Sequence, residues 1–244
     1  MAEWTSNTLK RFTSLAVALD MLVSERLTLL SPALWEDRND IAFLDAYRAK
    51  RGVQHVFAMC FTQAPETFHH WGVFAKGMEG VRVDLDKRAL LSSLRDQPCF
   101  VWNDVQYKTL DQLDALEAIN VYDLPFLKRY AFRDEREFRL LCESDDPVAQ
   151  RLDVPIDRAW IKGISASPWM PENLFQSIKS AIRALPGCGK IRFQRTTLRE
   201  NDRWKTAVRK IVDGSVAAEA LPRNPIDPEV RRGRSPAVPP FRRR

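Results

Sequence analysis

The run Val53–Thr62, VQHVFAMCFT, constrains this chain more than any other stretch. Eight of its ten residues are apolar or β-forming, and none is charged unless His55 is protonated. A strand that apolar is buried on both faces and carries neighbours on both edges. The chain therefore needs a sheet with this strand near its centre, and layers to cover it.

The flanking segments supply both. TLKRFT (8–13), RLTLLSP (26–32), EGVRVDLD (79–86), CFVWNDVQY (99–107), and stretches at 136–142, 159–165 and 190–193 read as strands. Helical spacing is expected from Ser14, where Leu15, Leu19, Leu22 and Val23 share a face. It is also expected near 41–50, over 65–76 with Pro65 in the first turn, over 109–131, and from Pro171 to about Leu185. WEDRND (35–40) reads as a polar loop. Strands broken by helices at irregular spacing give an α+β class rather than a regular βαβ array.

Charge divides unevenly. Between Pro222 and Arg244 seven Arg face Asp227 and Glu229, so +5 of the net +6 lies there and the rest of the chain is nearly neutral. That segment also holds six of the fifteen prolines and little to bury, and it is expected to be disordered. The organisation expected is one α+β domain over 1–213 and a Pro/Arg-rich tail over 214–244. The four cysteines lie far apart among apolar residues and read as reduced thiols. MAEWTSNTLK has no apolar core of a secretory signal, and no apolar run approaches bilayer length, so a soluble cytoplasmic protein is expected.

Several chemical motifs are excluded. GCGK (187–190) has Ala184 where a phosphate loop needs its first Gly, and Ile191 where it needs Ser or Thr. His69 and His70 point about 100° apart on a helix and cannot chelate one metal. No metal is expected.

The order of segments carries a resemblance. Leu9-Lys10-Arg11-Phe12-Thr13-Ser14, then Leu29–Pro32 and Asn39-Asp40, form a first block. Cys60-Phe61-Thr62, Trp71-Gly72-Val73-Phe74-Ala75 and Gly80–Asp86 form a second. Val105-Gln106-Tyr107, Lys128 and Glu135-Arg136-Glu137-Phe138-Arg139-Leu140 complete the series. Over about 9–185 this resembles the bacterial domain-of-unknown-function family 2971, which is similar to AbiG-type abortive phage-resistance proteins. Ile41 stands where that family has Pro, and Phe74 where it has Tyr.

The same order is similar to the Arg, Ser/Thr and Glu-x-Glu layout of ADP-ribosyltransferases. The resemblance implies mixed or antiparallel sheets with flanking helices, and NAD as substrate. It implies a mono-ADP-ribosyltransferase or NAD glycohydrolase of a toxin or phage-defence system. It places Glu137 and Glu135 in catalysis, and Arg11, Thr13, Thr62, Trp71, Phe74 and Arg139 around the nucleotide. The residue types suit that chemistry: a carboxylate stabilises an oxocarbenium-like cation, and an Arg fork grips pyrophosphate. In a strand, Glu137 and Arg139 share one face and Phe138 and Leu140 the other, so the apolar pair is expected in the core. Three plainer readings stand beside these: a surface Glu137–Arg139 ion pair, a solvated Arg11 and a core Trp71. The alternative function is a non-enzymatic interaction or nucleic-acid-binding module using the Arg-rich tail.

Overall fold

The computed structural model describes residues 7–214. The chain divides into two units, Met1–Arg199 and Glu200–Arg244. The proposed tail, 214–244, lies outside the described residues except for Gly214.

The first unit runs β1 (Thr8–Ser14), α1 (Leu15–Ser24), β2 (Arg26–Leu30), α2 (Arg38–Arg51), β3 (His55–Thr62), α3 (Phe68–Phe74), β4 (Gly80–Asp86) and α4 (Lys87–Leu94). It continues β5 (Phe100–Asp104), β6 (Gln106–Lys108), α5 (Leu110–Asp114), β7 (Leu127–Arg129), β8 (Glu137–Ser144), β9 (Arg151–Pro155), β10 (Ile161–Ala166), α6 (Glu172–Ala184) and β11 (Phe193–Arg195). In the second unit α7 (Asp202–Asp213) is capped by Asn201, whose side chain accepts from Trp204 N, and buries none of its residues. The class is α+β, as expected: a mixed, mostly antiparallel sheet with flanking helices.

Strand β3 is the centre its composition demanded. It pairs with β8 over its whole length, from His55↔Ser144 to Thr62↔Glu137. Its other edge is shared. β1 meets it at Lys10↔Thr62 and β2 at Leu30↔Ala58. β1 itself pairs fully with β4, from Thr8↔Asp86 to Ser14↔Gly80. The sheet is therefore two halves, β11-β10-β4-β1 and β9-β2-β3-β8-β5, joined through one narrow contact.

One face carries the main core. Leu9, Phe57, Met59, Phe61, Val83, Phe138 and Leu140 pack there against Met21 and Leu22 of α1, Leu90 and Leu94 of α4, and Ile182 of α6. The opposite face is covered in two separate places. Leu44 and Tyr47 of α2 pack on Val56, Ala58 and Leu141, while Trp71 and Ala75 pack on Phe12. α3 comes so close to β4 that a Cβ at Gly80 would fall 2.0 Å from Ala75 O, so only glycine fits there.

Some expected elements shift. The helix expected at 41–50 starts at Arg38, because Asp37 caps it by accepting from Asn39 N and Asp40 N; WEDRND is half cap rather than all loop. The helix expected over 65–76 shrinks to Phe68–Phe74, because Thr67 caps it and accepts from His70 N. The stretch 109–131 is not continuous helix: Asn120 opens a 3-10 turn holding Pro125, and β7 then pairs parallel with β6. The last strand falls at 193–195, and α4, β9 and α7 carry no signal used above. All four cysteines are free thiols.

Candidate active site

Between the two covered areas the sheet leaves a cleft of about 850 Å³. That is the size of a small-molecule site. Arg11 of β1, Thr62 and Cys60 of β3, Phe74 of α3, and Glu135 and Glu137 beside β8 all line it. The sheet thus brings together residues that the sequence scatters from 11 to 137.

Arg11 sits where β1 and β3 part. Its Nη1 donates to Cys60 O at 2.9 Å across that gap, and its Nε has no partner. Burial lowers its pKa from the ordinary value, and the charge of Glu137 opposes that shift, so Arg11 lies within the field of Glu137. Among the described residues, the buried side-chain nitrogens and oxygens without a hydrogen-bond partner are Arg11 Nε, Asp37 Oδ2 and Asp40 Oδ1. All three residues line this cleft. Buried polar atoms are almost always paired, so orphans gathered at one site mark a place built for a polar ligand.

Below the cleft lies a buried ion network. Glu137 is 5 % exposed and Arg139 is fully buried. Arg139 Nε and Nη2 both reach Glu137, Nη2 also reaches Asp40, and Nη1 donates to Pro125 O at 2.7 Å. Lys128 Nζ donates to Glu135 at 2.7 Å and to Glu137 at 3.0 Å. Burial alone would push the Glu137 carboxyl up, but Arg139 and Lys128 outweigh it and hold it at about 2. Burial dominates at Asp40 and Glu135, and both are raised despite their cationic neighbours. Glu137 is thus the carboxylate held most firmly in its charged form.

The strand-face reading of 137–140 holds: Phe138 and Leu140 face the main core, Glu137 and Arg139 the opposite side. Glu135 does not share their strand. It ends a 3-10 turn, Arg136 adopts a left-handed φ of 42°, and β8 starts only at Glu137. The Glu137–Arg139 pair is no surface ion pair, since both partners are buried.

Thr62 works on the backbone. Its Oγ1 donates to Glu135 O and accepts from Ala64 N at 2.9 Å, which clasps the turn before β8. Thr13 is buried on β1, away from the cleft lining. Trp71 is fully buried against Phe12, with its Nε1 donating to Glu66 at 2.6 Å. It cannot stack on a ligand; the role for which it was named is closed by packing. Phe74, 42 % exposed at the cleft, can, and Trp35 and Phe132 line the same cleft. Trp71→Phe is expected to cost about 1–2 kcal/mol, mainly through the lost hydrogen bond to Glu66. Nucleotide affinity should be unchanged, as read by a thermal melt beside a binding titration.

Sequence reasoning gave no role to Asp40, Lys128 or His70. Asp40 and Lys128 stood inside the motif series, but their charge partners lie far away along the chain. His70 lines the cleft and stacks on Phe12 at 5.2 Å. Burial lowers its pKa, so it is neutral at pH 7. Cys60 is no nucleophile, because burial and then Glu137 raise its thiol well above the ordinary value. No group of His, Cys, Asp and Glu among the described residues forms a metal site. No described helix is long and apolar enough to cross a membrane.

No family model matches the chain, and no curated protein matches it. Among solved structures it is similar to DarT of Thermus sp. 2.9 in complex with NAD+, at 9% identity and a TM-score of 0.41, over 79% of this chain and 96% of that one. It is also similar to the same protein in complex with ADP-ribosylated ssDNA, at 11% identity and a TM-score of 0.41, over 78% and 94%.

Proposed function

We propose that the cleft binds NAD and that the chain is an ADP-ribosyltransferase or NAD glycohydrolase, of the kind found in toxin and phage-defence systems. One observation carries this reading: Arg11 and Glu137, delivered by different strands, line the same cleft, and Arg11 brings an unpartnered Nε. With Nη1 tied to Cys60 O, the Nε side of the guanidinium is left for a phosphate oxygen. Phe74 offers an exposed ring to a flat base.

Glu137 would act at the ribose. The bond between the ribose C1′ and the nicotinamide nitrogen breaks, and its electron pair leaves with neutral nicotinamide. A cation develops on the sugar. A carboxylate held at about 2 is charged throughout the physiological range and needs no reorganisation to meet it. Water or an acceptor nucleophile then bonds to C1′ and gives up a proton. Arg139 and Lys128 hold the carboxylate in place and moderate its charge.

Incubating the purified chain with NAD labelled in the adenine moiety, and following nicotinamide release and label transfer, tests the reaction. No binding and no release would sink it. Arg11→Lys should weaken NAD binding by roughly tenfold, about 1.4 kcal/mol, because the charge stays and the fork is lost. Its melting temperature should hold. Unchanged affinity would remove Arg11 from the pyrophosphate.

A further inference from the structure

Every residue of α7, from Asp202 to Asp213, is exposed. Its sequence is nevertheless that of a helix with something to bury. Trp204 is 74 % exposed, Val208 44 % and Ile211 70 %. At about 100° per residue they fall, with Ala207, within roughly 100° of arc. A helix lays a stripe of that width against an apolar surface.

The charges define the surface. Lys205 and Arg209 run along one margin of the stripe, Arg203 and Lys210 along the other, and Asp202 and Asp213 stand at the far pole. Lys205 pairs with Glu200, and Arg209 donates to Thr206 Oγ1 at 3.2 Å; both contacts are exposed and cheap to exchange. A protein groove that took this helix would have to be anionic along both walls and apolar between them. An anionic lipid leaflet has that arrangement by construction. Acyl chains lie beneath the helix and phosphates on either side, within reach of Lys and Arg stems that run along the apolar surface. Trp favours the same boundary between apolar and wet.

The sequence beyond the helix adds charge of the same sign. Pro222–Arg244 brings seven Arg against Asp227 and Glu229. A short apolar contact holds weakly to a membrane by itself, and a polybasic segment beside it supplies a second attraction. No described helix is long and apolar enough to span a bilayer, and a helix lying in its surface needs no such length.

We infer that α7 is an interfacial helix that docks the chain on an anionic lipid surface, whatever the cleft binds.

The test is flotation of the full chain with vesicles of phosphatidylcholine alone and of an equal mixture of phosphatidylcholine and phosphatidylserine. Trp204→Ala with Ile211→Ala removes the stripe and keeps helix propensity, and Arg203→Gln with Lys210→Gln removes one cationic margin in the same way. All four positions are exposed, so the melting temperature should hold in both variants. The expected result is binding to the anionic vesicles only, weakened by added salt. It should fall by about tenfold or more in the alanine pair and by about threefold or more in the glutamine pair. Binding to neither vesicle, equal binding to both, or anionic binding untouched by the alanine pair overturns the docking surface; the last would leave the attraction to the Arg-rich segment alone. A concentration-dependent dimer that the alanine pair abolishes, with no vesicle binding, also overturns it and makes the occupant a second copy of this chain.

Discussion

Arg139→Leu is expected to lower stability by about 3–5 kcal/mol, seen as a clear fall in the urea midpoint. Arg139 is fully buried and holds Glu137, Asp40 and Pro125 O at once. Leucine fills most of its volume but leaves two buried carboxylates to Lys128, which already serves Glu135. The deficit should shrink in acid, since protonated carboxyls no longer need a counter-charge. The unaltered chain should behave in the opposite way. Glu137 has a folded pKa of about 2 against an ordinary 4.5, so its stabilisation is present above pH 4.5 and is lost as the pH falls towards 2. Asp40 and Glu135 oppose this, because their raised values are a penalty at neutral pH that acid relieves. The unaltered chain's acid limb should therefore be shallower than Glu137 alone would give. A neutral Arg139→Leu variant would mean that the carboxyls accept protons at little cost, and that the network is not held by charge.

The sheet was legible because its signal is local. Apolar content places β3 at the centre, and alternation along Glu137–Leu140 assigns each side chain to its face before any partner is known. Arg11 and Glu137 were legible only as members of an ordered motif series, since no local pattern shows that β1 and β8 both flank β3. What stayed hidden depends on pairings distant in sequence. Asp40 pairs with Arg139 across ninety-nine residues, and a polar WEDRND looks the same whether its aspartates face water or a buried arginine. Trp71 was ambiguous for a related reason: a helical stripe of Phe68, Trp71 and Ala75 does not say whether the helix lies on the sheet or at its rim. Caps moved the helix boundaries, because Asp37 and Thr67 hydrogen-bond forward into the chain and set the first turn irrespective of apolar spacing.

On the proposed reading, Glu137→Gln should cut nicotinamide release by at least about tenfold, a barrier increase of roughly 1.4 kcal/mol. The substitution keeps shape and removes the charge that would face the sugar cation. It also disturbs the buried network. The carboxylate lies between Arg139 and Lys128, and glutamine weakens both pairs and sets an amide NH2 against their donors. A cost of about 3 kcal/mol should follow. A slow variant that is also less stable proves little, so the two effects must be separated. Turnover is therefore read well below the variant's melting temperature, where the chain is folded, and the tenfold loss should persist there. Turnover that returned to the unaltered rate in the folded variant would show that Glu137 serves the fold alone, and the search for the charge that meets the ribose would pass to Glu135, held at 2.7 Å from Lys128.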